Sequence, residues 1–393
     1  MLIDLGETTD LREPDLDRER PGRTGLDRRP RIGALLLLVL LLVAGAAPSG
    51  PETTGVRPSG TVPIAVGGTF AITSDLLLVS EPDGTAATLT GYAVPGGRPR
   101  WRVPMSGVMA FTAIRAGDLV LLTEFGSYGQ RLRTVARSAA SGVLRWSRPG
   151  RVLTSTDLAT GFAVNEVRSV AGPARRVEGP VIAVDLATGS PRWDITVTGT
   201  AVVAPVVSGA PGVLVVHDTG EAQVLDAGTG AAVGSVRLPP TDYAPDNPAV
   251  VGDRLILRHR VDGVPTVSSY ELPGLRRTWS APADDGLGDV RSCGRLACLL
   301  SGVGIRAVDP STGVTRWQVA ATGWRTVSRR GGGEIATRPD AEQRRLLVGV
   351  LDDRGGRVVG VLPPAAVDCR AHQPLLVCRT GDDHLGVWRI GRP

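Results

Sequence analysis

The chain has 393 residues, enough to bury a substantial core as two ordinary domains or as one large repeat domain. Its 51 glycines, 30 prolines and many valines favour strands and turns over helices. The formal net charge is only +5, and every basic residue is an arginine interspersed with acidic residues. Because nucleic-acid-binding chains concentrate positive charge in blocks or patches, this composition argues against a nucleic-acid partner.

The N-terminal residues predict that the chain is attached to a membrane. Residues 1–31 are charged and lack an apolar period, which predicts a disordered cytoplasmic tail. Residues 32–47 are continuously apolar and predict one transmembrane, signal-anchor helix. Arginines just before this run would hold the N-terminus in the cytoplasm and place the rest of the chain outside it. The alternative is secretion after cleavage near Ala46, because Ala44-Gly45-Ala46 resembles a signal-peptidase site.

A linker is predicted after the apolar run. Residues 48–61 are rich in proline, glycine, serine and threonine, a composition typical of flexible connections. We therefore expect the folded domain to span residues 62–393.

A short motif recurs throughout this domain. It combines a small or apolar residue, an acid two residues later, a turn glycine four residues after the acid, and a tryptophan four residues after the glycine. The motif is complete at Ala183–Trp193 and Ala307–Trp317. Counting degenerate copies, its turn position recurs at residues 97, 142, 189, 230, 275, 313 and 356, which are 38 to 47 residues apart. That interval suits one four-stranded propeller blade.

Each conserved position of the motif has a structural reason. The glycine accepts the positive φ of a tight hairpin, and the tryptophan buries a large surface against the next blade, because no blade has a core of its own. Gly234 and Gly360 stand where tryptophan is expected, and Leu275 stands where the turn glycine is expected. The residues predicted to dock blades together are Gly142, Gly189, Gly230, Gly313, Gly356, Trp101, Trp146, Trp193, Trp279 and Trp317.

The pattern A-x-D-x-x-T-G-x-x-x-W resembles the repeat of the pyrroloquinoline-quinone-like (PQQ-like) β-propeller family. The resemblance covers about residues 62–390. It implies an all-β propeller of four-stranded antiparallel blades, in this chain a non-enzymatic, membrane-anchored member. Many propellers carry this repeat without binding the quinone, so the resemblance implies no cofactor.

The number of blades depends on how the ring closes. The chain ends before an eighth motif, and its last segment offers only three strands, which would leave an exposed edge. Residues 61–66 precede the first complete repeat and can supply the missing strand. Eight blades is therefore our prediction, with seven as the alternative if one degenerate copy is an insertion.

Four cysteines form two closely spaced pairs, Cys293 with Cys298 and Cys369 with Cys378. Each pair is symmetric about an even-numbered turn, centred on 295–296 and 373–374, so its members would face each other across a hairpin. In an exported domain this arrangement predicts two structural disulfides. A four-thiolate zinc site is the alternative.

No recognised catalytic motif occurs in the sequence, and the four histidines lie in separate repeats. We therefore predict no catalytic residue, cofactor or metal site. The expected function is an extracytoplasmic, membrane-tethered scaffold for interaction or assembly, with a protein or cell-envelope polymer bound at one propeller face. The alternatives are a PQQ- and calcium-dependent quinoprotein dehydrogenase, which the resemblance suggests, and a ligand-sensing ectodomain.

Overall fold

The computed structural model describes residues 55–391, with gaps at residues 85, 106–109, 126–131, 155–158, 169–174, 207–208, 210, 244–246, 285, 321–322, 328–333, 341, 343 and 382. The predicted tail (1–31) and transmembrane segment (32–47) lie outside the described residues. Every regular element within the described residues is a β-strand. No helix in this part of the chain is long and apolar enough to cross a membrane.

The described strands form antiparallel meanders of blade size. Blade 1 contains β2 (Thr69–Ile72), β3 (Leu76–Asp83), β4 (Ala86–Ala93) and β5 (Arg98–Met105), and blade 2 contains β6 (Ala110–Ala116), β7 (Leu119–Phe125), β8 (Arg133–Ser138) and β9 (Leu144–Pro149). Blades 3 and 4 share one sheet of β10 (Arg151–Leu153), β11 (Thr160–Arg168), β12 (Arg175–Asp185), β13 (Pro191–Val206), β14 (Gly212–His217), β15 (Glu221–Asp226) and β16 (Ala232–Arg237).

The remaining blades follow the same order. Blade 5 contains β17 (Ala249–Val251), β18 (Arg254–Val261), β19 (Val264–Glu271) and β20 (Arg276–Pro282), and blade 6 contains β21 (Leu287–Cys293), β22 (Leu296–Ser301), β23 (Gly304–Val308) and β24 (Thr315–Ala320). Blade 7 contains β25 (Arg325–Thr326), β26 (Glu334–Asp340), β27 (Arg345–Asp352) and β28 (Gly355–Leu362). Blade 8 combines β29 (Val367–His372), β30 (Leu375–Arg379), β31 (His384–Ile390) and β1 (Val56–Pro63).

Strand β13 joins blades 3 and 4 without a loop. Its first half pairs with β12, and Ala201–Val206 pairs with β14. The register shifts between the two halves, where Gly199 adopts a φ of 74°. The seven-stranded sheet therefore contains two blades that share one strand, and the described residues form eight blades in all.

The N-terminal strand closes the ring. Strand β1 pairs with β31 over the length of the strand, with Val62 opposite Leu385. Val62 is fully buried, and Val56 packs in an apolar cluster with Trp388. The predicted linker (48–61) is therefore too long, because residues from Val56 onward belong to a sheet whose core they help to fill.

Contacts between neighbouring blades run around the whole ring. Strand β2 contacts β6 of blade 2 and β29 of blade 8, β10 contacts β7, β13 contacts β17, β17 contacts β21, and β28 contacts both β24 and β1. Since blade 8 touches blades 7 and 1, the ring has no open side within the described residues.

The repeat tryptophans reach across these blade interfaces. Trp146 of blade 2 donates its indole N–H to the carbonyl oxygen of Leu186 in blade 3 (3.0 Å), and its ring covers the turn glycine Gly189. A Cβ added at Gly189, whose φ is 73°, would lie 2.7 Å from that ring. The other equivalent indole donations run from Trp101 to Ala139, Trp193 to Ala227, Trp279 to Pro310 and Trp317 to Asp352.

The turn acids organise the backbone that receives each tryptophan. Oδ1 of Asp185 accepts hydrogen bonds from the backbone N–H groups of Ala187 and Thr188 and from the Thr188 hydroxyl. Asp226 makes the same set of bonds in the next blade. A hydrogen bond from Arg192 and those from Thr188 hold the pKa of Asp185 below its ordinary value. The acid therefore stays ionised and keeps the turn in shape.

Two predicted turn positions differ from expectation in detail. Leu275 itself adopts a φ of 56°, so the turn conformation persists without glycine. Gly356, predicted as a turn glycine, lies inside β28 opposite Leu351. The blade 7 turn instead ends at Gly355, which carries the positive φ of 139°. The prediction of Gly356 as the turn glycine was wrong, because Asp352 pairs with Gly355 across a hairpin that turns one residue earlier than the acid-to-glycine offset of the motif implies.

Both predicted disulfides are formed, which removes the zinc alternative. Cys293 is bonded to Cys298 and Cys369 to Cys378, with Cα–Cα distances of 5.8 and 4.1 Å. Both lie across the hairpin between the first and second strands of a blade. In blade 6 the turn is one residue earlier than predicted, because Cys293 pairs with Leu296 and not with Cys298 in the ladder.

Candidate functional site

The topology separates the repeated turns from the variable connections. In a four-stranded antiparallel meander the first and third connections lie at one end of the sheet, and the second connection and the crossover to the next blade lie at the other. The repeat turns are third connections, so they occupy one end of the ring. A ligand site that differs from blade to blade is expected at the opposite end, which we call the variable face.

The interface between blades 4 and 5 departs from the tryptophan pattern. Where a tryptophan is present, its ladder partner is small: Gly91, Ala136, Ala183, Ser269 or Ala307. In blade 4 the sizes are reversed: Gly234 stands at the tryptophan position, and its ladder partner is the larger Val224. A Cβ at Gly234 would collide with the carbonyl oxygen of Pro273 in blade 5. Blade 4 therefore docks on blade 5 through close backbone approach in place of an indole.

Blades 4 and 5 are connected on the variable face by a non-repeating segment, of which the structure describes residues 238–243 and 247–248. Asn247 holds this segment against β18: its Nδ2 donates to the Arg258 carbonyl (3.0 Å) and the Thr241 hydroxyl (3.2 Å), and its Oδ1 accepts from the Arg258 N–H (2.8 Å). The Tyr243 hydroxyl donates to the carbonyl of Pro239. Asn247 and Tyr243 are each only 4% exposed, so they anchor the described part of the segment, which forms one wall of a cleft.

A cleft of about 670 Å³ lies between this wall and blades 4 and 5. That volume falls within the usual range of ligand sites. Its lining combines apolar and aromatic residues with two arginines, an aspartate and two threonines. The lining residues are Asp218, Thr219, Val236, Arg237, Leu238, Pro239, Pro240, Thr241, Tyr243, Tyr270 and Arg277.

The electrostatics of this cleft, which we call the blade 4–5 cleft, are set by Arg237 and Arg277. Both are exposed, and among the described residues no carboxylate lies within 4.0 Å of either guanidinium. Glu221 lies opposite Arg237 in the ladder but does not pair with it. Burial raises the pKa of Tyr270, and the nearby charge of Arg277 opposes that rise. The lining of the cleft therefore contains two cationic groups together with apolar residues.

A second, more polar cleft of about 440 Å³ adjoins the first and shares Thr241 with it. Its lining includes His259 of β18 and Asp284 of the connection between blades 5 and 6. His259 is 5% exposed, and its Nε2 hydrogen-bonds the Ser268 hydroxyl (2.7 Å), which donates to Ser280 (3.0 Å). Burial lowers the pKa of His259, with a smaller contribution from Arg277 and partial opposition from the Arg260 backbone.

The buried histidine gives stability a specific pH dependence. Because the pKa of folded His259 is lowered, the unfolded chain binds a proton more readily, and stability falls as pH drops below the unfolded value of about 6.5. We expect His259→Gln, whose amide can still bond Ser268, to flatten the decline of the melting temperature between pH 7.5 and 5.5. An unchanged slope in this variant would contradict the assignment.

The predicted structural residues do not gather into a site. The repeat glycines and tryptophans are spread over the blade interfaces described above. The adjacent acids Asp352 and Asp353 pair with Arg357 and Arg295, respectively. Within the described ranges no group of three or more histidine, cysteine, aspartate or glutamate side chains could hold a metal ion.

The sequence reasoning missed the cleft residues, although one signal was available. Gly234 in place of the expected tryptophan marks the blade 4–5 interface as different, and the adjacent connection does not match the repeat. Asn247 lies outside the repeat motif, so the sequence gives no reason to single it out. In the structure both ends of its side-chain amide bond the backbone of Arg258.

The motif-bearing blades define this chain as a member of the PQQ-like β-propeller family. A family model described as outer membrane protein assembly factor BamB matches residues 46–202 and 129–348, well over half of the chain. The chain belongs to that family. Among curated proteins, none matches the sequence significantly.

Solved structures share the architecture at low sequence identity. BamB from Moraxella catarrhalis is 16% identical, with 85% of this chain and 97% of that chain covered and a TM-score of 0.51. The C-terminal WD40 domain of Sif2 is 10% identical, with 86% and 99% covered and a TM-score of 0.55. Quinohemoprotein alcohol dehydrogenase from Comamonas testosteroni is 12% identical, with 87% and 78% covered and a TM-score of 0.45. Likeness at these identities establishes the fold alone.

Proposed function

We propose that this protein is an extracytoplasmic propeller, tethered to the membrane by residues 32–47, that serves as an interaction or assembly scaffold. Its partner is a protein, which docks at the blade 4–5 cleft, between the non-repeating segment on the variable face and the residues Tyr270 and Arg277 beside the repeat turn of blade 5. The observation that carries this proposal is the cleft itself: a built, non-repeating wall beside an interface that lacks the indole fastener.

Membership of the BamB family supports a scaffold role over catalysis. The BamB description names an assembly factor, and here that role is extended to this chain as a proposal. The chemistry of the cleft agrees with it. The lining of Tyr, Pro, Leu and Arg side chains is typical of surfaces that bind proteins, in which aromatic residues and arginine are enriched.

Site-specific photo-crosslinking tests where the partner docks. A photoreactive residue at Pro240, which lines the cleft, is expected to give a discrete protein adduct in native membranes. The matched control is Val314, which is 56% exposed in a repeat turn at the opposite end of the ring. Equal adducts at both positions, or an adduct only at Val314, would contradict docking at the cleft.

The proposed membrane attachment and export have a separate test. A reporter enzyme that is active only outside the cytoplasm, fused after Pro393, is expected to be active and to remain with the membrane fraction after a salt wash. Activity confined to the culture medium would replace the anchor with a cleaved signal, and a silent reporter would reject export altogether.

A further inference from the structure

We infer that the blade 4–5 cleft is selective for an extended acidic peptide segment of the partner, whose carboxylates pair with Arg237 and Arg277. This inference rests on the proposed function and adds the chemical class of the bound segment. The inference concerns the two guanidinium groups and the apolar residues that line the same cleft.

The arginines are available for a ligand. Many other arginines in the described part of this propeller are held by acids, as Arg192 is by Asp185 and Arg316 by Asp309 (2.8 Å). Arg237 and Arg277 have no such partner among the described residues, although both border a cleft. A planar guanidinium recognises a carboxylate through two parallel hydrogen bonds. A ligand that pairs with both arginines must therefore carry negative charge.

The apolar residues that line the cleft add a second requirement for the ligand besides charge. Val236, Leu238 and the two prolines 239 and 240 offer apolar surface, so the ligand must carry apolar groups close to its carboxylates. An extended peptide meets this requirement because its side chains alternate in direction.

An anionic polymer fits the same cleft less well. Such a polymer repeats its charges without apolar side chains and is best matched by a long row of cations. The cleft has two arginines, and Asp218 lies on its rim, where the Thr200 hydroxyl donates to its carboxylate (3.1 Å). This negative charge would repel a continuous polyanion, whereas a peptide can place a neutral residue beside it.

The test is selection of a displayed library of random decapeptides on the intact wild-type protein. We expect the recovered peptides to be enriched in Asp and Glu next to apolar residues. Synthetic copies of these peptides should lose about tenfold in affinity with Arg277→Gln or Arg237→Gln, the change expected from one charge-assisted contact. Replacing the acids of the peptide with Gln or Asn should give a comparable loss, and added salt should weaken binding.

Control variants separate local pairing from net charge. Arg98→Gln and Arg145→Gln remove exposed arginines from the outermost strands of blades 1 and 2, and they should leave peptide affinity unchanged. Thermal unfolding of every variant shows whether the fold persists. Arg277→Lys should retain part of the affinity, because it keeps the charge and loses the planar fork.

Each of the following outcomes would overturn the inference. Recovered peptides without acidic enrichment, or peptides indifferent to both cleft arginines, would reject acidic selectivity. Failure to recover any binding peptide would reject recognition of an extended segment. Inorganic polyphosphate that binds the wild type, depends on both arginines and displaces the acidic peptides would assign the cleft to a polymer. A protein adduct at Pro240 whose contact segment is not acidic would overturn this inference and leave the proposed function intact.

Discussion

Replacing Trp146 with alanine is expected to lower the free energy of unfolding by about 3 to 5 kcal/mol, the usual cost of deleting a buried tryptophan. Trp146 is 8% exposed, fastens blade 2 to blade 3, and donates its indole N–H to Leu186. Its removal leaves a cavity above Gly189 and an unsatisfied carbonyl. Chemical denaturation monitored by circular dichroism measures the loss.

An exposed residue in the turn that precedes the same strand provides the control for this substitution. Val143 precedes β9 in the same turn and is 56% exposed, so Val143→Ala is expected to change stability by less than about 0.5 kcal/mol. If Trp146→Ala were equally mild, the indole would not be a fastener, and the reason for its recurrence at blade interfaces would have to be sought in ligand binding.

Removal of β1 is expected to destroy the monomeric fold. A variant that begins at Ile64 lacks Val56 and Val62, whose burial contributes about 3 to 6 kcal/mol together. It also exposes the edge of β31, which favours association with another chain. Size-exclusion chromatography should show aggregates or swapped oligomers, and thermal unfolding should lose its cooperativity.

A variant that begins at Gly55 is the matched control for this truncation. It retains all of β1, so it should elute as a monomer and unfold cooperatively. A stable monomer that begins at Ile64 would show that the ring does not depend on this closure.

The repeat made most of the fold predictable. Glycine, acid and tryptophan at fixed offsets require a hairpin and a neighbouring blade, so the blade spacing could be deduced from sequence alone. Closure by an early strand followed from the need to cover an edge. The start of that strand could not be located, because Val56 lies within a composition typical of linkers and is held in place only by distant residues such as Trp388.

Other details depended on competition between similar local choices. The blade 7 turn could be placed at either of two adjacent glycines, and the Cys293 hairpin could turn at 294–295 or one residue later. The continuous β13 had no local signal, because a connection that is a loop in other blades is replaced there by paired strand.

The candidate site was less predictable than the fold. Its apolar lining comes from two blades and from the connection between them, and such convergence is a tertiary property. What the sequence does contain is a negative signal, the absence of tryptophan at Gly234. Gly360 of blade 7 has the same substitution, and it packs closely against Val56 of β1 as Gly234 packs against Pro273, so the missing tryptophan alone does not separate the two interfaces. Substitution of the fastener is thus a guide to the site only together with the non-repeating segment between blades 4 and 5.

The central claim is that association depends on the blade 4–5 cleft and not on the propeller surface in general. The most direct measurement is quantitative mass spectrometry of proteins retained from native membranes by the full chain. It would compare the wild type, the double variant Arg237→Glu with Arg277→Glu, and the charge-matched control Arg98→Glu with Arg145→Glu. We predict that one partner is retained by the wild type and the control and is lost from the cleft variant, while all three proteins unfold at similar temperatures. Equal retention of the same partners by the cleft variant would contradict the claim.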